Sequence, residues 1–164
     1  MRSIWIFAAS LALAGCAMTP PATPVAAHPE ARSFDAARDA AADVDAALVR
    51  AGESGKHVLL VMGANWCHDS RALAGWLETP RFAELVGREY ELVFVNVGMP
   101  QTGDGHNLDI ARRFGVEELP GTPNLFVIRP NGTLVNADSV TSWRNAASRS
   151  EDAIYEELAA LAGE

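Results

Sequence analysis

The sequence predicts one α/β domain in which a mixed β-sheet lies between two layers of helices. Three largely apolar runs, 58–62, 92–97 and 125–128, have the composition of strands that are buried on both faces. Segments with the helical spacing of apolar residues alternate with these runs, and right-handed crossovers then place the strands side by side. The length of 164 residues suits a single domain.

The first half of the domain predicts a helix, a strand and a second helix. Ser33 has the side chain of an N-cap, so a helix is expected to begin directly after it and to end near Gly52. The first apolar strand follows. A second helical pattern begins after Cys67, and Pro80 is expected to kink or break that helix near Thr79.

The second half predicts a third helix and a hairpin. A glycine-rich loop at 98–106 follows the second strand, and Asn107 is placed to cap a helix that ends at Gly115. After the third strand, the turn sequence at 130–132 predicts that residues 133–135 return as an antiparallel hairpin partner at the edge of the sheet.

The last helix is predicted from a capping box. Ser148 and Glu151 have the spacing of this motif, and apolar residues then recur up to Leu161. The predicted architecture is therefore a three-layer α/β/α domain over residues 33–164. Its mixed central sheet has about four strands, and a C-terminal hairpin and helix complete it.

The N-terminal residues predict export. Residues 1–15 combine an early arginine with an apolar segment too short to span a bilayer. Residues 13–16, Leu-Ala-Gly-Cys, resemble the lipobox of bacterial lipoproteins, which implies cleavage before Cys16 and a diacylglyceryl thioether on its sulfur. An ordinary secretory signal is the alternative. The resemblance also implies the outer membrane rather than the inner one, because residue 17 is not aspartate.

Residues 16–32 are expected to tether the domain to the membrane, since four prolines among alanines disfavour a packed core. Both kinds of signal deliver the domain to an oxidising compartment of the cell envelope, the periplasm. Cys16 is then acylated or removed, so Cys67 has no intrachain disulfide partner. A single cysteine in an exported protein suggests a reactive thiol or an intermolecular disulfide.

Three motifs occur in the order that one known superfamily shows. Trp66 and Cys67 end the first strand, Thr122 and Pro123 precede the third, and an Asn-Gly turn precedes the last helix. Over residues 34–161, the sequence therefore resembles the thioredoxin superfamily. The resemblance implies a cis peptide bond before Pro123 and thiol–disulfide exchange at Cys67, where the positive end of the helix dipole favours a thiolate.

The motif departs from the dithiol pattern of that superfamily. Ser70 occupies the place of the second cysteine and cannot form a disulfide, and Val61 stands where thioredoxins place a buried acid. We therefore expect a monothiol mechanism in which Cys67 is the nucleophile and the Ser70 hydroxyl donates a hydrogen bond to its thiolate. The expected substrates are disulfide-containing proteins or small disulfides, and an external thiol must release the product.

The resemblance also implies a substrate site around Cys67. The residues expected there are Trp66, His68, Thr122 and Pro123. The backbone of Thr122 would pair with an extended substrate segment, and His68 would add positive charge that Asp69 opposes. The alternatives are a binding module of the same fold with a vestigial Cys67, and a cysteine that is simply a buried apolar side chain.

No cofactor, metal or nucleic acid is expected. Cys67, His68 and Asp69 are consecutive, so on a helix they diverge by about 100° each and cannot converge on one ion. His106 would join them only if its loop folded over the site. The net charge of −8 and the absence of a Lys/Arg cluster argue against nucleic-acid binding and a polybasic membrane patch.

Overall fold

The structure is a computed structural model that describes residues 28–164. The predicted signal segment, Cys16 and the first part of the tether therefore lie outside the described residues. Within 28–164, no helix has both the length and the apolar character that crossing a bilayer requires. The predicted fold class is confirmed, because a mixed sheet lies between two layers of helices.

Five helices and five strands make up the described residues. The helices are α1 (Ala40–Ser54), α2 (His68–Leu77), α3 (Pro80–Glu89), α4 (Leu108–Arg113) and α5 (Glu151–Leu161). The strands are β1 (His57–Gly63), β2 (Tyr90–Asn96), β3 (Gly98–Met99), β4 (Asp104–Gly105) and β5 (Asn124–Ile128). Short 3₁₀ helices occur at Pro100–Thr102, Val140–Trp143 and Ala146–Ser148.

The main sheet has the strand order β2-β1-β5, with β2 parallel and β5 antiparallel to the central strand. In the register, Val61 lies opposite Phe94 on one side and Leu125 on the other. All residues of β1 after His57 are buried, as expected for a strand covered on both faces. The C-terminal end of this central strand leads directly to Cys67.

The side chains of β1 alternate between two apolar layers. Leu59 and Val61 pack with α2, α3 and α5, whereas Leu60 and Met62 pack with α1 and α4 on the opposite face. The alternation follows from the two-residue period of a strand. It fixes β1 from both sides and holds the start of α2 at a defined edge of the sheet.

The predicted hairpin does not form a full fourth strand among the described residues. One isolated bridge forms between Ile128 and Leu134, with backbone hydrogen bonds from Arg129 to Thr133 and from Val135 to Val127, both at 2.8 Å. The Asn136 side chain takes the place of further strand pairing. Its Oδ1 accepts from the Val127 N–H at 2.8 Å, and its Nδ2 donates to the Leu125 carbonyl at 2.9 Å.

The first helix begins later than predicted. Asp39 rather than Ser33 is the N-cap, because its carboxylate accepts from the Ala42 N–H. The Ser33 hydroxyl instead donates to Glu78 at 2.6 Å. The helix also ends later, at Gly55, whose φ of 77° suits glycine and provides the left-handed C-cap.

Of the two other predicted helix caps, one is confirmed in position and one is wrong. Asn107 occupies the N-cap position of α4, but its side-chain amide donates to the Asn96 carbonyl and makes no capping bond. The last helix is capped by Ser150, which accepts from the Ala153 N–H, and not by Ser148. Ser148 lies in a 3₁₀ helix instead. The capping-box motif therefore predicted the start of the last helix two residues too early.

The predicted break at Pro80 is confirmed. Leu77 ends α2, and Pro80 is the first residue of α3, where its missing N–H leaves no helical hydrogen bond unmade. The Thr79 hydroxyl donates to the Trp76 carbonyl at 2.8 Å and so closes the end of α2.

Residues 28–32, which the sequence assigns to the tether, lie along α2. The Ala31 N–H donates to the Arg71 carbonyl at 3.0 Å. The chain also passes so close to Gly75 that a Cβ there would lie 2.7 Å from the Glu30 nitrogen and would collide with the Pro29 carbonyl. The glycine therefore permits this segment to pack on the helix.

Candidate active site around Cys67

A tight turn between β1 and α2 presents Cys67. The Cys67 N–H donates to the Ala64 carbonyl at 3.1 Å. The Asn65 side chain fixes the turn from below, accepting from the Phe34 N–H at 3.2 Å and donating to the Phe34 carbonyl at 2.9 Å. Because Phe34 is itself 1% exposed, the turn is anchored to the core.

Cys67 occupies the N-cap position of α2, with an extended backbone and no side-chain capping bond. A reactive thiol is expected to be exposed, but this residue is only 8% exposed. The reason is the segment at Thr122, which lies against the sulfur. The Cys67 thiol donates a hydrogen bond to the Thr122 carbonyl oxygen over an Sγ–O distance of 3.4 Å.

The peptide bond between Thr122 and Pro123 is cis, as predicted. Within residues 28–164, the Thr122 N–H makes no hydrogen bond, and the buried Thr122 hydroxyl has no partner either. The carbonyl oxygen of the same residue accepts only the thiol of Cys67. Backbone groups of Thr122 are therefore placed beside the sulfur without a backbone partner among the described residues, as strand pairing with a substrate requires.

The Ser70 hydroxyl contacts the backbone of the turn and not the Cys67 sulfur that the sequence predicts as its partner. The residue is fully buried, and its hydroxyl oxygen is 3.4 Å from the Ala64 N–H, from which it accepts. A Cβ on Gly63 would lie 2.8 Å from this oxygen, so the hydroxyl is packed against the end of β1. Among the described residues, no hydrogen bond joins Ser70 to the sulfur of Cys67. A bond to the thiolate therefore stays a prediction.

The two residues after Cys67 point in different directions, as the helical spacing predicts. The Asp69 carboxylate accepts from the Ala147 N–H at 2.9 Å and so binds a 3₁₀ helix. The His68 ring contacts Glu30 and His28. His106 is occupied elsewhere, since its Nε2 lies 2.9 Å from the Asn96 side-chain oxygen, so its loop does not bring it to Cys67.

An apolar surface lies beside the thiol. The Trp66 side chain is half exposed, and its indole N–H donates to the Gly98 carbonyl at 3.0 Å. That hydrogen bond holds the 98–106 loop next to the indole, and the neighbouring Met99 is 41% exposed. Exposed large apolar side chains next to a reactive group are typical of a surface that receives a partner.

Comparison with known proteins agrees with this geometry. A sequence profile of a family described as thioredoxin-like matches residues 39–130, which is more than half of the chain and includes Cys67 and Pro123. This chain belongs to the thioredoxin-like family. The structure of a disulphide isomerase from Xylella fastidiosa Temecula1 is similar, with a TM-score of 0.70 and 30% sequence identity. The similarity covers 78% of this chain and 95% of that one. Among curated protein sequences, none matches.

Arg71 supports this thioredoxin-like site and was missed by sequence reasoning. Its Nη1 donates to the carbonyl oxygens of Asn65 and Trp66, both at 3.1 Å, and its Nε donates to Glu30 at 2.9 Å. The hydrogen bond from Arg71 lowers the pKa of Glu30 below its usual value. An arginine in the first turn of a helix is disfavoured by the helix dipole. This unusual position is the feature of the sequence that could have identified Arg71 as a residue of the site.

Proposed function

We propose that this thioredoxin-like protein performs thiol–disulfide exchange or isomerisation through Cys67 alone, on disulfide-containing proteins or small disulfides outside the cytoplasm. Family membership and the similarity to a disulphide isomerase support a thiol–disulfide oxidoreductase kind of function. The observation that carries the proposal is the 3.4 Å distance between Cys67 Sγ and the Thr122 carbonyl oxygen, at the N-terminus of a helix.

The proposed reaction conserves electrons at each step. The thiolate of Cys67 attacks one sulfur of a substrate disulfide, so a mixed disulfide forms and a substrate thiolate leaves. In isomerisation, a different thiolate of the substrate attacks the substrate sulfur of the mixed disulfide, so a new substrate disulfide forms and Cys67 leaves as a thiolate. In net reduction, two external thiols become a disulfide, because Ser70 has no sulfur with which to release the substrate.

Substrate binding would also free the sulfur. The Thr122 carbonyl accepts the thiol proton in the described structure. An extended substrate that donates a backbone N–H to this carbonyl would replace the hydrogen bond from the Cys67 thiol. The same substrate would then lie beside Cys67. The exposed side chains of Trp66 and Met99 would contact apolar substrate residues next to the disulfide, while His68 borders the site from α2.

The proposed location is the cell envelope, with the domain held by a lipid on Cys16. The Leu-Ala-Gly-Cys sequence at 13–16 and the proline-rich segment after it support this part of the proposal. Metabolic labelling with a fatty acid tests it. Incorporation that disappears in Cys16→Ala is expected, and equal labelling of both proteins, or of neither, would contradict the anchor.

The experiment for the exchange function is trapping in cells. Cells that express the full chain are quenched with acid, their thiols are alkylated, and adducts are separated on non-reducing gels. Mixed disulfides that are present in the unmodified protein and absent in Cys67→Ala are expected. A Cys67 that is recovered entirely as a free thiol would contradict the proposal.

The second candidate is a non-catalytic binding module. The 8% exposure of Cys67 favours it, because a buried thiol reaches a disulfide only after the Thr122 segment moves or exchanges its hydrogen bond. Such a module would bind partners equally well in the unmodified protein and in Cys67→Ala, without covalent adducts. The same gels, combined with a native pull-down, separate the two functions.

A further inference from the structure

A cluster of metal-ligating side chains lies next to Cys67, and no chemical step of the proposed exchange reaction is assigned to it. One ligand atom from each of His28, Glu30 and His68 lies within 4.8 Å of the other two. The Nε2 atoms of His28 and His68 face each other at 3.0 Å. His28 and Glu30 belong to the segment that the sequence assigns to a tether, so the cluster was not predicted.

The hydrogen bonds of the two rings determine which nitrogens carry protons. His28 Nδ1 lies 3.3 Å from the Pro29 carbonyl oxygen, which can only accept. His68 Nδ1 lies 3.1 Å from one oxygen of the Glu30 carboxylate. The other oxygen of that carboxylate accepts from Arg71 at 2.9 Å, so Glu30 is placed as an acceptor. Both Nδ1 atoms therefore act as donors.

Neutral imidazole has one donor and one acceptor nitrogen. With the proton on Nδ1 in each ring, both Nε2 atoms carry lone pairs and lie 3.0 Å apart. Two nitrogens in this state are both acceptors and do not form a hydrogen bond with each other. A bound metal ion satisfies both lone pairs at once, and metal-bound histidines usually donate their other N–H to a carboxylate or a carbonyl.

We propose that His28 and His68 bind a divalent transition-metal ion, Zn²⁺ in particular, through their Nε2 atoms, and that Glu30 orients His68. Tetrahedral Zn²⁺ with Zn–N distances of about 2.0–2.1 Å separates two nitrogens by roughly 3.3 Å, close to the spacing present here. Imidazole ligands favour Zn²⁺, Cu²⁺ or Ni²⁺ over Mg²⁺ and Ca²⁺. Water completes the coordination, since the His68 side chain is 58% exposed.

The ion would join the segment before the domain to α2. His28 belongs to that segment, and His68 is the first residue of the helix. Two contacts already hold this segment on α2. They are the backbone hydrogen bond from Ala31 to Arg71 and the ion pair of Glu30 with Arg71. An ion that binds only the folded arrangement stabilises it, by an amount that grows with the logarithm of the ion concentration above the dissociation constant. The site therefore clamps the end of the predicted tether beside Cys67.

Calorimetric titration with ZnCl₂ tests the site in the full chain, purified in mild detergent with Cys67→Ser so that the thiol cannot bind the metal. We expect one bound Zn²⁺, and at least tenfold weaker binding in His28→Ala and in His68→Ala. His57→Ala and His106→Ala are the matched controls, because these histidines lie outside the cluster. Both should bind as the parent does.

Thermal unfolding provides a second readout. Saturating Zn²⁺ should raise the melting temperature of the parent and of both controls but not of the His28 or His68 variants. An absence of Zn²⁺ binding, which would mean that a shared proton joins the rings, overturns the proposal. So does binding that survives both cluster substitutions. These measurements do not need the Cys67 thiol, so they succeed or fail independently of the exchange function.

Discussion

Arg71 and Glu30 form an ion pair at 2.9 Å that joins the segment before the domain to the turn that carries Cys67. The same guanidinium donates to the carbonyl oxygens of Asn65 and Trp66. The Arg71 side chain is only 17% exposed, so these bonds are partly shielded from water. Arg71 thus positions the turn that carries Cys67 from within the helix that begins there.

Replacing Arg71 by alanine should loosen this turn. The two carbonyl groups lose a charged donor, and a bond of that kind contributes about 1.5–3 kcal/mol, so the free energy of unfolding should fall by about 1–3 kcal/mol. Urea unfolding measures the loss, and amide hydrogen exchange of residues 64–67 should become faster. Arg32→Ala is the matched control, because Arg32 reaches the Asn65 carbonyl only at 3.5 Å on the exposed surface. Equal effects of the two substitutions would contradict this role.

Gly75 should be intolerant of a side chain, although it lies in the middle of a helix. Gly75→Ala would push the chain at Pro29 and Glu30 away from α2 and break the Ala31 to Arg71 hydrogen bond. Faster exchange of the Ala31 amide and easier proteolysis near residue 30 are expected.

Gly87→Ala provides the control for that substitution. A Cβ at Gly87 meets no atom within 4 Å, so alanine there should stabilise α3 by about 0.5–1 kcal/mol through helix propensity. If Gly75→Ala stabilised the protein to the same extent and left the exchange of Ala31 unchanged, the segment would not be packed on α2 in solution.

His57 should make stability depend on pH. Burial lowers the pKa of His57 below its usual value of 6.5, with a smaller contribution from the charge of Arg129. The unfolded chain therefore binds a proton more readily than the folded one. The contribution of His57 to stability is then present above pH 6.5 and is lost as the pH falls below that value through the lower pKa of the folded state. Urea unfolding between pH 5 and 8 should show a flatter profile for His57→Gln, and parallel profiles would contradict the expectation.

The sequence predicted the parts of the fold that depend on local apolar patterns. The continuous apolar run of β1 predicted a strand that is covered on both faces. The break at Pro80 followed from the missing N–H of proline. Both features are determined by a few neighbouring residues, whereas the cis bond before Pro123 was implied by the resemblance to the thioredoxin superfamily.

The features that were missed depend on tertiary contacts. Ser33 has the side chain of a cap, but its hydroxyl binds Glu78, whose position no local pattern shows. Residues 133–135 were predicted to form a strand. No local pattern shows that the Asn136 side chain instead bonds the backbone of β5. The low exposure of Cys67 likewise arises from Thr122, a residue that only the fold brings close.

The central claim is that Cys67 attacks disulfides and that no second residue releases the product. The most direct test mixes the purified full chain with a peptide that carries a glutathione mixed disulfide, and follows covalent adducts by quenched mass spectrometry. We expect a one-to-one adduct that persists until an external thiol is added, and whose lifetime shortens in Ser70→Cys. Cys67→Ala should form none. Turnover without an external thiol, or an adduct that forms in Cys67→Ala, would contradict the account.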